Sequence, residues 1–199
     1  RKARARGGAA GALAPRRAAA AAAAGGADRT ADDPIWRIFG GTMVNKVRCG
    51  VCDSVSERRE PFLDLSLSIP DGASGARTSL EECLARHTSS EHLAGNERYC
   101  CETCGRCAEA TKRIELVSLP KVLCVHLKRF HWHASGRSKL NTRVDCPLRS
   151  LDLAPYLRAE GEEGGAADPG ALPGAHYDLA ASVVHHGSST HSGHYTAYG

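Results

Sequence analysis

The sequence predicts an α+β fold that is mostly β, and three observations support this prediction. Several segments alternate apolar and polar residues with the two-residue period of a strand. Only one segment carries a clear helix-start signal. Two close cysteine pairs indicate a metal site, which would hold together a long β hairpin that has little apolar core.

Composition limits the class of protein. The chain has 199 residues, of which 42% are hydrophobic, so it is one domain or a large part of one. The net charge of +4 is a mild basic excess, and no apolar run approaches the length of a membrane span. The nine cysteines include several close pairs, and the alanine-rich start is interrupted by arginines, unlike a secretory signal. These features favour metal ligation in a reducing compartment over a disulfide framework.

The first 33 residues are predicted to be a disordered tail rich in Ala, Arg and Gly. Seven consecutive alanines, Ala18 to Ala24, offer no large side chain to bury. Ordered structure is expected to begin near "PIWRIFGGTMV", which supplies the first bulky apolar groups, Trp36, Ile38 and Phe39. Residues 34–199 are therefore expected to form the folded part.

The next two segments predict a strand and a short helix. "FLDLSLSIP" alternates cleanly, which predicts a half-buried strand ending at Pro70. "TSLEECLARH" pairs Thr78 and Ser79 with glutamates three residues later, a capping-box signal for a helix start. The residues expected to be buried are Leu63, Leu65, Leu67 and Ile69 on the strand, and Leu80, Cys83 and Leu84 on the helix.

The second half of the chain predicts further strands. "TKRIELVSLPKVLCVHLKRFHW" predicts two strands broken at Pro120, and "GHYTAY" predicts a short one. "YDLAASVVHHG" predicts a single strand with alternate residues on one face, namely Tyr177, Leu179, Ala181, Val183 and His185. Residues 158–175 are rich in Gly, Pro and acidic residues without periodicity, which predicts a flexible surface insertion.

Two Cys-x-x-Cys turns, Cys49/Cys52 and Cys101/Cys104, can hold one tetrahedral zinc ion. Four thiolates leave no open coordination position, so the predicted site is structural. The register is not unique, because Cys104/Cys107 is also a Cys-x-x-Cys pair and Cys100 adjoins Cys101. The isolated cysteines Cys83, Cys124 and Cys146 are interpreted as packing residues.

Near the end of the chain, "HHGSSTHSGHYTAY" places four histidines close together: His185, His186, His191 and His194. His194 follows a glycine-containing loop at the start of a predicted strand, where a side chain can be rigid and still reachable. The spacing does not choose among the four. No acidic ligand accompanies them, which argues against a metal cluster.

From about residue 35 to 199 the chain resembles the ubiquitin-specific proteases. The histidine segment "YDLAASVVHHGSSTHSGHYTAY" is similar to their histidine box, and "LPKVLCVHLKRFHW" to their Leu-Lys-Arg-Phe strand. "FGGTMVNKVRCGVC", "PFLDLSLSIP" and "YCCETCGRCAEATKR" resemble their finger segments in the right order. "FLDLSLSIP", "LKRFHW" and "YDLAA" look most like a histone-directed member of the family.

The resemblance implies a papain-like cysteine protease fold, with fingers at about 42–115 and a palm at about 116–199. The implied activity is hydrolysis of the isopeptide bond after the C-terminal glycine of ubiquitin. His194 matches the family's general base, and Cys101 rather than Cys107 completes the structural zinc site. His185, Gly193 and Tyr195 match the stretch expected to contact substrate, while His191 departs from the family's usual small residue. The implied partners are ubiquitin and ubiquitinated proteins, histones among them, in the nucleus or cytoplasm.

Two catalytic residues of the family have no match in this sequence. None of the nine cysteines follows Asn-Thr, as the family's nucleophile does, and no third triad residue is found. We therefore expect a fragment with fingers and palm but no thumb, inactive by itself. One alternative is a non-catalytic ubiquitin-binding module. Another is a zinc-ribbon nucleic-acid binder, which the few aromatic residues disfavour; no membrane or direct nucleic-acid partner is expected.

Overall fold

The computed structural model describes residues 33–70, 77–133, 136–158, 175–187 and 192–199. The predicted tail up to residue 32, the insertion residues 159–174 and His191 lie outside the described residues. The described part is mostly β, as predicted. None of its helices is long and apolar enough to cross a membrane.

Two α-helices are described, α1 (Pro34–Phe39) and α2 (Leu80–Thr88), together with 3-10 turns at Gly95–Glu97 and Ala154–Tyr156. The strands are β1 (Gly41–Cys49), β2 (Val55–Phe62), β3 (Leu65–Ser68), β4 (Arg77–Ser79), β5 (Glu91–Leu93), β6 (Tyr99–Cys100), β7 (Cys107–Ala108), β8 (Ala110–Ser118), β9 (Val125–Lys128), β10 (Phe130–His133), β11 (Gly136–Lys139), β12 (Arg143–Asp145), β13 (Leu151–Asp152), β14 (His176–Tyr177), β15 (Ser182–His186) and β16 (His194–Tyr198).

The largest sheet is antiparallel and has the strand order β2-β1-β8-β5. β1 pairs with β2 on one side, and on the other with β8, so that Cys49 lies opposite Ala110. The sheet therefore brings the end of β1 close to the chain segment that immediately precedes β8. β8 runs through the predicted boundary between fingers and palm near residue 115, and that boundary stays a prediction.

The apolar core lies at the other end of β8, under α2. Leu67, Leu84, Leu116 and Leu153 are completely buried there. β3 pairs in parallel with β9, which carries this core into the second half of the chain. The prediction that Leu63 is buried with the other apolar residues of its segment is wrong. Its side chain is 42% exposed, because residues 63 and 64 form a bend between β2 and β3.

The predicted helix is confirmed as α2, with a capping box. The Ser79 hydroxyl accepts a hydrogen bond from the Glu82 amide, and the Glu82 carboxylate accepts one from the Ser79 amide. The Thr78 hydroxyl also donates to this carboxylate. These bonds satisfy amides that the first helical turn leaves free. The contact with Thr78, followed by the Ser79 amide, lowers the pKa of Glu82.

β4 and β12 form a parallel pair, and the carboxylate of Asp145 links the two strands by hydrogen bonds. Asp145 on β12 accepts hydrogen bonds from Arg77 on β4 and from its neighbour Arg143. Both contacts are exposed. The hydrogen bonds from Arg77 and then from Arg143 lower the pKa of Asp145.

The single strand predicted for "YDLAASVVHHG" is wrong, because two separate strands are found. β14 pairs with β13, and just after it the Asp178 carboxylate accepts hydrogen bonds from the Ser150 amide and from Arg149. These bonds attach the chain to Arg149 and Ser150, residues 178–181 belong to no strand, and β15 then pairs with β16 instead. The break at Pro120 and the strand in "GHYTAY" are confirmed. The segment after Pro120 was predicted as one strand, but it forms two, β9 and β10, which are interrupted at Arg129.

Candidate functional site

Two turns of the same geometry present the cysteine pairs. In the first, the Asp53 amide donates to the Cys49 carbonyl at 3.1 Å; in the second, the Gly105 amide donates to the Cys101 carbonyl at 2.9 Å. Asp53 and Gly105 both have a left-handed backbone, with φ of 56° and 67°. Glycine adopts this conformation freely, and aspartate tolerates it better than most residues. Each turn therefore presents its two thiols in the same arrangement.

The two turns bring their four sulfurs together at the end of the large sheet. The Sγ atoms of Cys49, Cys52, Cys101 and Cys104 all lie within 4.8 Å of one another. Cys49 Sγ lies 4.0 Å from Cys104 Sγ, and Cys52 Sγ lies 3.7 Å from Cys101 Sγ. A tetrahedral zinc ion with Zn–S bonds of about 2.3 Å requires sulfurs about 3.8 Å apart. The four residues predicted from the sequence therefore form a site that fits structural zinc.

Ser54 is a residue of this site that the sequence did not reveal. Its Oγ lies 3.1 Å from Cys52 Sγ and 3.2 Å from Cys101 Sγ, so it bridges one thiol of each turn. The Ser54 hydroxyl is the main cause that lowers the pKa of Cys52. It is also the largest of the hydrogen bonds that lower the pKa of Cys101 to about 6, followed by the Cys104 and Thr103 amides. A serine two residues after a Cys-x-x-Cys pair carries no recognisable signal, since only the folded turns bring it to the second pair.

The thiol of Cys104 behaves in the opposite way. The Arg106 amide lowers the pKa of Cys104, but burial and the three neighbouring sulfurs outweigh it and raise the pKa to about 11. Four sulfurs this close cannot all carry negative charge unless a cation lies between them. The site therefore has the chemistry of a divalent soft-metal centre, and bound zinc would supply the missing positive charge.

The preference for metal ligation over disulfides does not hold for two of the cysteines outside the zinc site. Cys100 and Cys107 lie directly opposite each other in the β6–β7 pair and are joined by a disulfide. This bond removes Cys107 from the alternative zinc register. Cys83 is buried, as predicted for a packing residue, whereas Cys124 and Cys146 are exposed, contrary to prediction.

The predicted histidine lies on a different sheet from the zinc cysteines. His194 begins β16 and lies opposite His186 in β15. Its side chain is exposed, and none of the described residues forms a hydrogen bond, ion pair or ring contact with it. The neighbouring His186 is engaged in a hydrogen bond of 2.8 Å between its Nε2 and the Thr196 hydroxyl. Among the described histidines of this segment, His194 is thus the one whose imidazole is left available.

The other predicted contact residues, His185, Gly193 and Tyr195, lie next to His194 and its strand partner His186 along the β15–β16 pair. His185 is half-buried, and its ring packs against those of Phe130 and Tyr195 at centroid distances of 5.8 and 4.8 Å. A Cβ atom at Gly193 would collide with the His185 ring and lie 2.6 Å from the His186 carbonyl oxygen. Glycine is therefore required at 193 by packing. Tyr195 remains 66% exposed, while His185 is engaged within the protein.

Comparison with known proteins defines the class of protein to which the chain belongs. The family model described as ubiquitin carboxyl-terminal hydrolase matches residues 19–199, so the chain belongs to this family of hydrolases. Ubiquitin carboxyl-terminal hydrolase 3 of Homo sapiens is 45% identical over 177 residues, which are 84% of this chain and 33% of the human protein. Ubiquitin carboxyl-terminal hydrolase 12 of Salmo salar is 38% identical over 165 residues, which are 82% of this chain and 40% of the salmon protein.

A solved structure shares the fold. It is described as the SAGA Ubp8/Sgf11/Sus1/Sgf73 DUB module bound to ubiquitin aldehyde. The match has a TM-score of 0.68 at 28% identity and covers 85% of this chain and 35% of that chain. The fold is thus the papain-like type of the ubiquitin-specific proteases. The chain spans about a third of the length of ubiquitin carboxyl-terminal hydrolase 3 of Homo sapiens and of Mus musculus.

Proposed function

We propose that this chain forms part of a cysteine-type deubiquitinase and that His194 is its general base. The observation that carries the proposal is the exposed imidazole of His194, without a partner among the described residues, at the start of β16. Membership of the family supports the reaction. The bond cleaved would be the isopeptide bond after the C-terminal glycine of ubiquitin.

The chemistry needs an imidazole in this condition. A cysteine thiol with a pKa near 8.5 is mostly protonated at neutral pH, so a neighbouring imidazole accepts its proton and stabilises the thiolate. The resulting imidazolium then donates a proton to the departing lysine amine, a step worth about 10²–10⁴ in rate. None of the nine cysteines of this sequence follows Asn-Thr, so the residues of this chain supply the base of the reaction and not the nucleophile.

The zinc site supports a second part of the proposal, which is ubiquitin binding. Cys49, Cys52, Cys101 and Cys104 would brace the end of the four-stranded sheet, and that sheet would contact the globular body of ubiquitin. The ubiquitin aldehyde in the similar solved structure supports this partner. The same binding surface would also serve the alternative function, a ubiquitin-binding module without catalysis.

Ubiquitinated proteins are the proposed substrates, histones among them, and the proposed location is the nucleus or cytoplasm. The support is the resemblance of "FLDLSLSIP", "LKRFHW" and "YDLAA" to a histone-directed family member. His185, Gly193 and Tyr195 are proposed to lie beside the bound ubiquitin C-terminus. Of the three, exposed Tyr195 is the residue best able to touch it.

Two experiments test the proposal separately. The 199-residue chain should bind ¹⁵N-labelled ubiquitin in an NMR titration, and zinc removal should weaken this binding. The chain should not hydrolyse ubiquitin that carries a C-terminal fluorophore. If it does, and if His194→Ala abolishes the turnover, then this chain supplies the nucleophile as well as the base, contrary to the proposal.

The role of His194 is tested in a natural protein that contains this sequence together with a nucleophilic cysteine. There, His194→Ala should lower kcat/KM by at least 10²-fold, whereas His186→Ala, on the opposite strand, should change it by less than about three-fold. Equal effects of the two substitutions would show that His194 is not the base. Binding without any activity in the natural protein would favour the binding module.

A further inference from the structure

The side chain of Lys139 reaches from the end of β11 to the end of β15. Its Nζ lies 2.7 Å from the carbonyl oxygen of His185, 2.9 Å from that of Gly187 and 3.2 Å from His185 Nδ1. An ammonium group has three protons, so these three acceptors use all of its donors. No carboxylate of the described residues forms an ion pair with Lys139. The Lys139 ammonium group therefore binds only the His185 ring and the carbonyls of His185 and Gly187 among the described residues.

The hydrogen bond to Nδ1 also determines the state of the His185 ring. Because Nδ1 accepts from the ammonium, the ring proton lies on Nε2. The His185 ring also packs against two aromatic rings, edge-to-face with Phe130 at an interplanar angle of 60° and tilted with Tyr195 at 47°. Lysine and aromatic contacts together leave the His185 ring one orientation and one tautomer.

This ring in turn supports the residue before His194. The Nε2 edge of His185 lies so close to Gly193 that no Cβ atom fits between them. At the other end of the connection, Gly187 has a φ of 150°, and its carbonyl is one of the acceptors of Lys139. Lys139 thus holds the chain directly at His185 and Gly187, and the His185 ring that it binds packs against Gly193 and Tyr195, which flank His194.

We propose that Lys139 is a positioning residue for His194, which it orients through His185, Gly187 and Gly193. The inference rests on the proposed function, in which His194 is the base. It assigns His185 the role of a support within the protein, in addition to any contact with substrate. Methionine at 139 would fill similar space but donate no hydrogen bond, so it would release both the ring and the turn.

The first test reads the histidine rings directly and needs no catalysis. The chain is labelled with ¹⁵N-histidine, and long-range ¹H–¹⁵N NMR reports the tautomer of each ring. Unaltered protein should show His185 protonated on Nε2 only. Lys139→Met should lose this pattern in favour of mixed tautomers and should shift or broaden the His194 signals. Lys121→Met, an exposed lysine without a described partner, should leave both rings unchanged.

Two results of this NMR experiment would overturn the proposal. A proton on Nδ1 of His185 in the unaltered protein contradicts the proposal, and this observation decides even if Lys139→Met does not fold. Unchanged His185 and His194 signals in a folded Lys139→Met protein also overturn it.

The second test uses a natural protein that contains this sequence and a nucleophilic cysteine. Lys139→Met should lower kcat about ten-fold and leave KM within two-fold, since misplacing a catalytic group affects the chemical step. If the His185 tautomer changes while kcat does not, Lys139 holds the His185 ring but does not position His194, and the proposal is overturned, whereas the role of His194 itself is decided by His194→Ala. If kcat falls with both rings unchanged, the positioning role of Lys139 is refuted.

Discussion

Replacing Ser54 with alanine should weaken zinc binding although all four ligands remain. The Ser54 hydroxyl has a single proton, and the two sulfurs at 3.1 and 3.2 Å compete for it, so the loss amounts to one hydrogen bond to a thiolate. Groups that hydrogen-bond metal ligands typically account for 10–100-fold in metal affinity. Cys52 is exposed, so water can replace part of the lost bond, and we expect the lower end, about a ten-fold rise in the dissociation constant.

The assay is competition for zinc with a chromophoric chelator under reducing conditions at constant pH. The stoichiometry should stay at one zinc per chain, which separates weaker binding from misfolding. Ser56→Ala is the matched control, because Ser56 is exposed on β2 two residues further along. If Ser54→Ala binds zinc within two-fold of the unaltered protein, or if the control weakens binding equally, the Ser54 bridge does not contribute to the site.

Three further changes test other parts of the structure. Replacing Cys100 and Cys107 by serine together should leave the zinc content unchanged and, by the loop-closure entropy for a sequence separation of 7, lower the free energy of unfolding in urea by about 2.4 kcal/mol; loss of zinc would show that this pair belongs to the metal site. Leu84→Ala, in the core, should lower it by about 3 kcal/mol, whereas Leu63→Ala, on the exposed bend, should change it by less than about 1 kcal/mol; equal losses would contradict the described core. Asp145 has a lowered pKa in the folded state, so its stabilising effect is fully present above the usual value of 3.8 and is lost as pH falls through the folded pKa. The difference in urea midpoint between Asp145→Asn and the unaltered protein should therefore be constant above about pH 5 and vanish in more acidic solution. A difference that grows on acidification would show that the pKa of Asp145 is not lowered by folding.

Sequence patterns correctly predicted the elements that depend on interactions between residues close together in the chain. The capping box of α2 depends on residues three apart, so Ser79 and Glu82 could be identified from the sequence. The strand predicted across Tyr177 to His185 failed because its end was decided by a distant partner: Asp178 accepts hydrogen bonds from Ser150 and Arg149, about 28 residues earlier. Alternation cannot reveal such a contact.

The same distinction applies to the candidate site. The ligands Cys49, Cys52, Cys101 and Cys104 could be predicted because each pair forms its own turn, and the resemblance supplied the register. Ser54 and Lys139 could not, since their roles arise from contacts 46 to 48 residues away along the chain. The disulfide could not be predicted either, because spacing allows Cys107 to belong to the zinc site or to pair with Cys100.

The position of the zinc site follows from how unevenly the chain buries apolar surface. Around α2, leucines from several elements form a continuous core, which holds that end of β8 without further help. Along β2, by contrast, every residue except the last, Phe62, stays exposed or half-buried. A sheet with so little core on this edge gains little from the hydrophobic effect, so its far end needs another source of stability. The disulfide Cys100–Cys107 and a metal ion held by the four thiolates would supply this stability where the leucines are absent. We infer that the zinc acts on the proposed binding surface by holding its shape, while the geometry around His194 depends on the separate contacts of Lys139 and His185.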